Sequence, residues 1–193
     1  MTKETGKIHF IITGGTIDSF YDGTIDAVRP NEKSVIPYYI ETLKLHEEAE
    51  YTEFCMKDSR ELDMNDREGI LETVEKTEAS HIIITHGTYT MPDTARYLSA
   101  NMAEVSDKVI ILTGSMIPMA GFTGSDGPFN LGFSLGMIKN VDPGVYICMN
   151  GRLFTHEEVA KDISEGRFYS VFKEKETFFG RSNPKVDEKL SKV

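Results

Sequence analysis

The residues of this sequence best suited to chemistry are Thr16, Thr88 and Ser115, each placed just after an apolar run that breaks into glycine, together with Tyr21, Ser59 and the basic Lys161. His86 and Asp126 lie close in sequence to the same breaks. A threonine hydroxyl is a weak nucleophile until a base or a pre-organised neighbour takes its proton, so a site built on one needs a lysine, a tyrosine or a carboxylate within hydrogen-bond reach. For a single threonine at a strand end the alternative is a hydroxyl that caps the following helix. Three breaks of one design, Thr13-Gly14-Gly15-Thr16, Thr85-His86-Gly87-Thr88 and Thr113-Gly114-Ser115, favour a shared site over three unrelated caps. Tyr21 is open between two roles: a phenol brought to the site by a loop, or a ring packed against the next helix.

Other chemistries find no support. The chain has no G-x-S-x-G elbow, no His-x-x-x-His and no Cys-x-x-Cys spacing, which argues against a serine-hydrolase elbow and a zinc site. Gly14-Gly15 lacks the third glycine of a dinucleotide fingerprint and no Gly-Lys-Ser/Thr phosphate loop occurs, so no nucleotide cofactor is expected. Cys55 and Cys148 sit in apolar-rich, strand-like runs and read as buried reduced thiols. A net charge of −10 without a Lys/Arg cluster argues against nucleic acid as a partner. The first residues are polar and no apolar run approaches membrane-spanning length, so a soluble, cytoplasmic protein is expected.

The elements that must position these side chains follow from patterning. Residues 7–13, 82–85, 109–113 and 144–149 are near-continuous apolar runs, the mark of strands covered on both faces and so of a parallel sheet between helices. Residues 50–56 alternate like a shorter strand, and 152–154 add another. Helices are expected over 34–45, with Ser34 as N-cap and Pro37 in the first turn, over 65–79, over 91–102 and over 129–138. The helix over 91–102 begins just behind Thr88, where unpaired amides favour a carboxylate or an oxyanion. Residues 18–30, with Asp22-Gly23 and Pro30, read as a loop that closes over the site. Residues 156–165 read as a polar stretch, and 173–193 as a charged C-terminal tail following a single domain over 1–172. The expected fold is α/β: three layers, with a mainly parallel, flavodoxin- or Rossmann-like sheet flanked by helices. In such a sheet all carboxyl ends share one edge, so the three hydroxyl-bearing tips converge there.

Longer strings sharpen this. The sequence resembles the bacterial-type L-asparaginases at Thr13-Gly14-Gly15-Thr16-Ile17, at Ile84-Thr85-His86-Gly87-Thr88-Tyr89-Thr90-Met91, and at Thr113-Gly114-Ser115-Met116-Ile117-Pro118 followed by Ser125-Asp126-Gly127-Pro128-Phe129-Asn130-Leu131. The resemblance covers Lys7 to about Lys161, the family's larger N-terminal domain. It implies hydrolysis of the asparagine side-chain amide to aspartate and ammonia without metal or cofactor. Thr16 would be the acylating nucleophile, assisted by Tyr21 on a mobile loop. Thr88 and Lys161 would activate a nucleophile or water, and backbone amides near Thr16 and Thr88 would hold the oxyanion. Substrate contacts would fall on Ser59, Arg60, Glu61, Gly87, Tyr89 and Ser115.

Two departures stand out. Tyr89 occupies the position of the family's aspartate that binds the substrate ammonium, and a neutral phenol does not offset a positive charge as a carboxylate does. Asp58-Ser59-Arg60-Glu61 follows the family's carboxylate-binding stretch only in part, with Ser59 as the matching hydroxyl and Asp58, Glu61 and Asp63 as possible substitute acids. The expected function is therefore hydrolysis of L-asparagine, with an amidase for a blocked or larger amide and a non-catalytic amino acid-binding module as alternatives. The family's linker and smaller C-terminal domain have no counterpart in these residues, so a homodimer or homotetramer is expected to build its sites differently.

Overall fold

A computed structural model of the chain describes residues 6–103, 107–121 and 124–172. In chain order these form β1 (Lys7–Gly14), β2 (Ser19–Asp22), β3 (Ala27–Pro30), α1 (Ile36–Thr42), β4 (Glu48–Lys57), α2 (Met64–Lys76), β5 (His81–Thr85), α3 (Met91–Asn101), β6 (Val109–Thr113), α4 (Gly127–Met137), β7 (Gly144–Met149), β8 (Arg152–Thr155), β9 (Val159–Asp162) and β10 (Arg167–Ser170). Short 3₁₀ turns occupy Thr16–Asp18 and Ser59–Glu61.

Six strands make one sheet in the order β4-β1-β5-β6-β7-β8. Its pairs are parallel except the last, β7 with β8. The apolar runs alternate between two cores. Ile82, Ile84, Ile110 and Leu112 pack with Ile70 and Val74 of α2 and with Ala95 and Leu98 of α3. Ile83 and Ile111 pack on the opposite face with Ile36 and Ile40 of α1 and with Leu131 of α4. This gives the expected three layers. At seven residues α1 is too short to stand alone. Complete burial of Ile36 and near-complete burial of Ile40 each contribute about 1.5–3 kcal/mol, enough to hold it on the sheet.

The strand order reverses at β1, which lies between β4 and β5. Connections leaving β1 and β5 diverge there, opening a crevice beyond their carboxyl ends, the usual place for a ligand in an open α/β sheet.

Local differences from the pattern have identifiable causes. Residues 18–30 are not a loop: β2 and β3 pair antiparallel, Ser19 with Pro30 through Asp22 with Ala27. The hairpin is fixed to α1 by Asp18, whose buried carboxylate accepts the Ser34 hydroxyl at 2.5 Å and the Val35 amide at 2.7 Å. Ser34 in turn accepts the Ile36 amide at 3.0 Å, so it does cap α1 although Val35 is the flanking residue. The polar stretch 156–165 contains β9, which pairs with β10 as a second hairpin. Helix α2 stops at Lys76 rather than 79 because Thr77 turns extended. It begins with a capping box between Asp63 and Asp66. Both cysteines are free. Burial pushes the Cys55 thiol up to about 11 and the Cys148 thiol up to about 12, so both stay protonated. No helix among the described residues is long and apolar enough to cross a membrane. The expected tail, 173–193, lies outside the described residues.

Candidate active site

The tips of β1 and β5 meet through glycine. Gly15 has φ +80° and ψ −176°, a combination available almost only to glycine. A Cβ there would lie 2.4 Å from the Gly87 backbone, and one on Gly87 would lie 2.6 Å from Ser59 Cβ. The segments that follow β1 and β5 therefore touch backbone to backbone, the Ser59 side chain of the segment after β4 presses on Gly87, and a side chain at either glycine would push them apart. Strand ends are tied further by hydroxyls turned sideways: Thr13 donates to the Thr85 carbonyl and Thr113 to the Cys148 carbonyl, each at 2.9 Å.

Above this contact lies an open cleft of about 190 Å³. Its walls are Gly15 and Thr16 from the tip of β1, Asp58, Ser59 and Arg60 from the turn after β4, Gly87, Thr88 and Tyr89 from the tip of β5, and Lys161 from β9. The volume is below the ~300–1,000 Å³ of pockets for drug-sized ligands and suits a molecule of amino-acid size. The Thr16 hydroxyl has no hydrogen-bond partner among the described residues.

Lys161 Nζ donates to Thr88 Oγ1 at 2.7 Å. Burial lowers the Lys161 pKa from its usual range, the nearby Arg60 charge lowers it further, and Asp58 opposes both. Asp58 and Arg60 form a fork, with Nε on Oδ1 at 3.0 Å and Nη2 on Oδ2 at 2.8 Å. This pairing holds the Asp58 carboxyl below the usual carboxylate range. The Arg60 guanidinium also sits 5.9 Å from the centroid of the Tyr89 ring. Ser59 is buried; its hydroxyl accepts the Thr90 amide at 3.3 Å while Thr90 Oγ1 donates to the Ser59 carbonyl at 2.7 Å.

Several expected site residues are not brought here. Tyr21 lies on β2 and its phenol donates to the Asp26 carboxylate, away from the cleft. Ser115 is buried and donates to the Ile117 carbonyl at 2.7 Å, so its hydroxyl shapes the turn after β6. Glu61 points outward from the 3₁₀ turn, and Asp63 is committed to the cap of α2. The amides expected at the start of α3 are mostly spent: Thr90 N on Ser59, Asp93 N and Thr94 N on the Thr90 carbonyl, while Pro92 has none. Asp126 accepts the Met116 and Ile117 amides and Asn130 Nδ2, each at 3.0 Å, and organises the loop before α4.

His86 is fully buried at the end of β5. Its Nδ1 lies 2.7 Å from the Gly87 carbonyl, which only accepts, so Nδ1 carries the proton and Nε2 accepts from Thr94 Oγ1 at 3.0 Å. Burial pushes its pKa down to about 4, and it acts as a neutral strut.

Sequence reasoning missed Arg96. Its Nη2 on α3 donates to the Val159 carbonyl at 2.7 Å, two residues before Lys161. A single arginine in a helix carries no signal for such a contact.

Residues 7–176 match the family described as Asparaginase, N-terminal. The chain is 35% identical over 96 residues to a glutaminase-asparaginase of Acinetobacter glutaminasificans, covering 48% of this chain and 28% of that one. It is 34% identical over 98 residues to a glutaminase-asparaginase of Pseudomonas fluorescens biotype A, covering 49% and 26%. Among solved structures, the thermostable L-asparaginase from Thermococcus kodakarensis superposes with a TM-score of 0.73 at 27% identity, over 85% of this chain and 51% of that one. The aligned region thus spans about half of that structure and about a quarter of the curated relatives. With the family matched across nearly all the described residues and the same parallel sheet beneath the cleft, this chain belongs to the asparaginase family through its N-terminal domain.

Proposed function

We propose that this chain is an asparaginase-like amidohydrolase, hydrolysing the side-chain amide of L-asparagine or of an asparagine-like amide through Thr16. The observation that carries this is the Lys161–Thr88 hydrogen bond facing the same small cleft as the unpartnered Thr16 hydroxyl. Thr16 Oγ attacks the amide carbon, the C–N bond breaks, and ammonia leaves with the proton that the hydroxyl gave up. The ester on Thr16 is then hydrolysed by water whose proton passes through Thr88 to Lys161; as the acyl C–O bond to Thr16 breaks, that proton returns to Thr16 Oγ and restores the hydroxyl. Backbone amides near Thr16 and Thr88 hold the negative oxygen in both halves. Tyr21 joins the nucleophile only after a movement of the β2–β3 hairpin that releases it from Asp26. Ser59 and Arg60 hold the substrate carboxylate.

Ammonia release from L-asparagine and from its N-acylated and deaminated relatives tests this. Activity that collapses in Thr16→Ala, with the thermal melt unchanged, supports it. Wild-type protein that releases no ammonia from any of them overturns it.

A further inference from the structure

We propose that the cleft selects amides with a carboxylate at the far end and no ammonium group between: an N-acylated asparagine or the monoamide of a dicarboxylic acid. This rests on the amidohydrolase reading and names its substrate class. The acidic and basic side chains on the cleft wall are Asp58, Arg60 and Lys161. Both Asp58 oxygens are occupied: Oδ1 by Arg60 Nε at 3.0 Å and by the Arg60 amide at 2.9 Å, Oδ2 by Nη2 at 2.8 Å. Three of the roughly four acceptor sites of the Asp58 carboxylate are thus taken and its charge is offset by Arg60, so an entering ammonium meets two basic side chains and a carboxylate already neutralised by one of them. An entering carboxylate meets the opposite situation. A guanidinium has five N–H donors, of which Asp58 uses two, so Arg60 retains donors for a second carboxylate. Tyr89 beneath the guanidinium holds it in place without adding charge. Ser59 accepts from Thr90 N and so has its own proton to give. Glu61 is on the same turn but outside the cleft wall, and supplies no compensating charge.

The test compares L-asparagine, N-acetyl-L-asparagine, succinamate and propanamide at neutral pH by ammonia release, and in Thr16→Ala by titration calorimetry. N-acetyl-L-asparagine and succinamate are expected to exceed both L-asparagine and propanamide in kcat/KM by tenfold or more. Arg60→Met should erase the advantage over propanamide, and Tyr89→Asp should shift preference toward L-asparagine by about tenfold. Both side chains are largely exposed, and unchanged melts would show that the variants fold. Preference for L-asparagine over both anionic relatives overturns the proposal while leaving amide hydrolysis standing. Tighter binding of the two anionic amides without turnover supports the charge selection and overturns the hydrolytic reading. Equal binding of all four overturns the selection.

Discussion

Lys161 Nζ and Thr88 Oγ1 stand 2.7 Å apart although the two residues are 73 positions apart in sequence and are positioned by different sheets. Thr88 follows an interior strand of the main sheet, whereas Lys161 lies on β9, which hydrogen-bonds only to β10 among the described strands. The bond therefore joins a rigid tip to a separate hairpin. An ammonium can only donate here; a neutral amine can also receive the Thr88 proton. In the proposed mechanism, which form is present decides whether the pair can activate water.

Activity is accordingly expected to rise with pH. Burial and Arg60 both lower the Lys161 pKa below its ordinary value of 10.5, so the neutral amine becomes populated at lower pH than for free lysine. The rate climbs as pH rises through that lowered value and levels off above it. Arg60→Met removes a repelling cation and should move the climb to higher pH. Lys161→Met should cost about 10²–10⁴ in kcat and remove the climb. A pH-rate profile of the three proteins checks this; an unchanged profile in Lys161→Met would exclude the amine from the chemistry.

Arg96 is expected to act as a positioning residue for Lys161. The β9–β10 hairpin is held by a few contacts: Arg96 Nη2 on the Val159 carbonyl at 2.7 Å, Phe168 N on Asn150 Oδ1 at 2.9 Å, and the buried Val159 and Phe168 side chains. Removing the arginine frees the backbone that carries Lys161 while leaving the apolar contacts. Arg96→Met should lower kcat at least about tenfold with KM little changed, since misplacing a reacting group by 1 Å is costly. Arg96→Lys, which keeps a donor, should recover part of the loss. If kcat is lost only in proportion to folded protein, the residue is merely structural.

His86 makes an acid-stability prediction. Its folded pKa, pushed down to about 4, lies below the unfolded value of 6.5. Above pH 6.5 the ring is neutral in both states and has no effect. Between 6.5 and about 4 the unfolded chain binds a proton that the native ring refuses, so stability falls as pH falls, by of order 3 kcal/mol across the window. Denaturant midpoints from pH 7 to 4, in wild type and in His86→Gln, would show the slope reduced in the variant.

What the sequence made legible follows from how its segments are buried. The runs that became β1, β5, β6 and β7 are covered on both faces and so stand out as continuous apolar stretches. Four-residue strands with mostly exposed or half-exposed side chains, as in β2, β3, β9 and β10, leave no such pattern. Lys161 was located by motif spacing in a resemblance, not by local pattern, since its strand reads as polar. Tyr21 and Ser115 show the opposite limit. Proximity in sequence to a strand tip places a backbone, and the nearest acceptor, Asp26 for one and the Ile117 carbonyl for the other, decides where the hydroxyl goes.

The glycines at the two tips give the most severe mutational prediction. Gly15→Ala meets two penalties: a backbone conformation costing about 1–3 kcal/mol for any other residue, and a Cβ 2.4 Å from the Gly87 backbone, which cannot rotate away. Relief requires separating β1 from β5 at their carboxyl ends, where Thr16 and Thr88 face one cleft. Gly15→Ala should therefore lower the melting temperature by at least about 5 °C, taking 2–4 °C per kcal/mol for a chain of this size, and should abolish activity even in the fraction that folds. Gly132→Ala is the control. It lies in α4 with nothing within 4 Å of the added Cβ, and alanine there is expected to stabilise the helix by up to about 1 kcal/mol. Equal melting shifts in the two variants would mean that the tips are not in backbone contact.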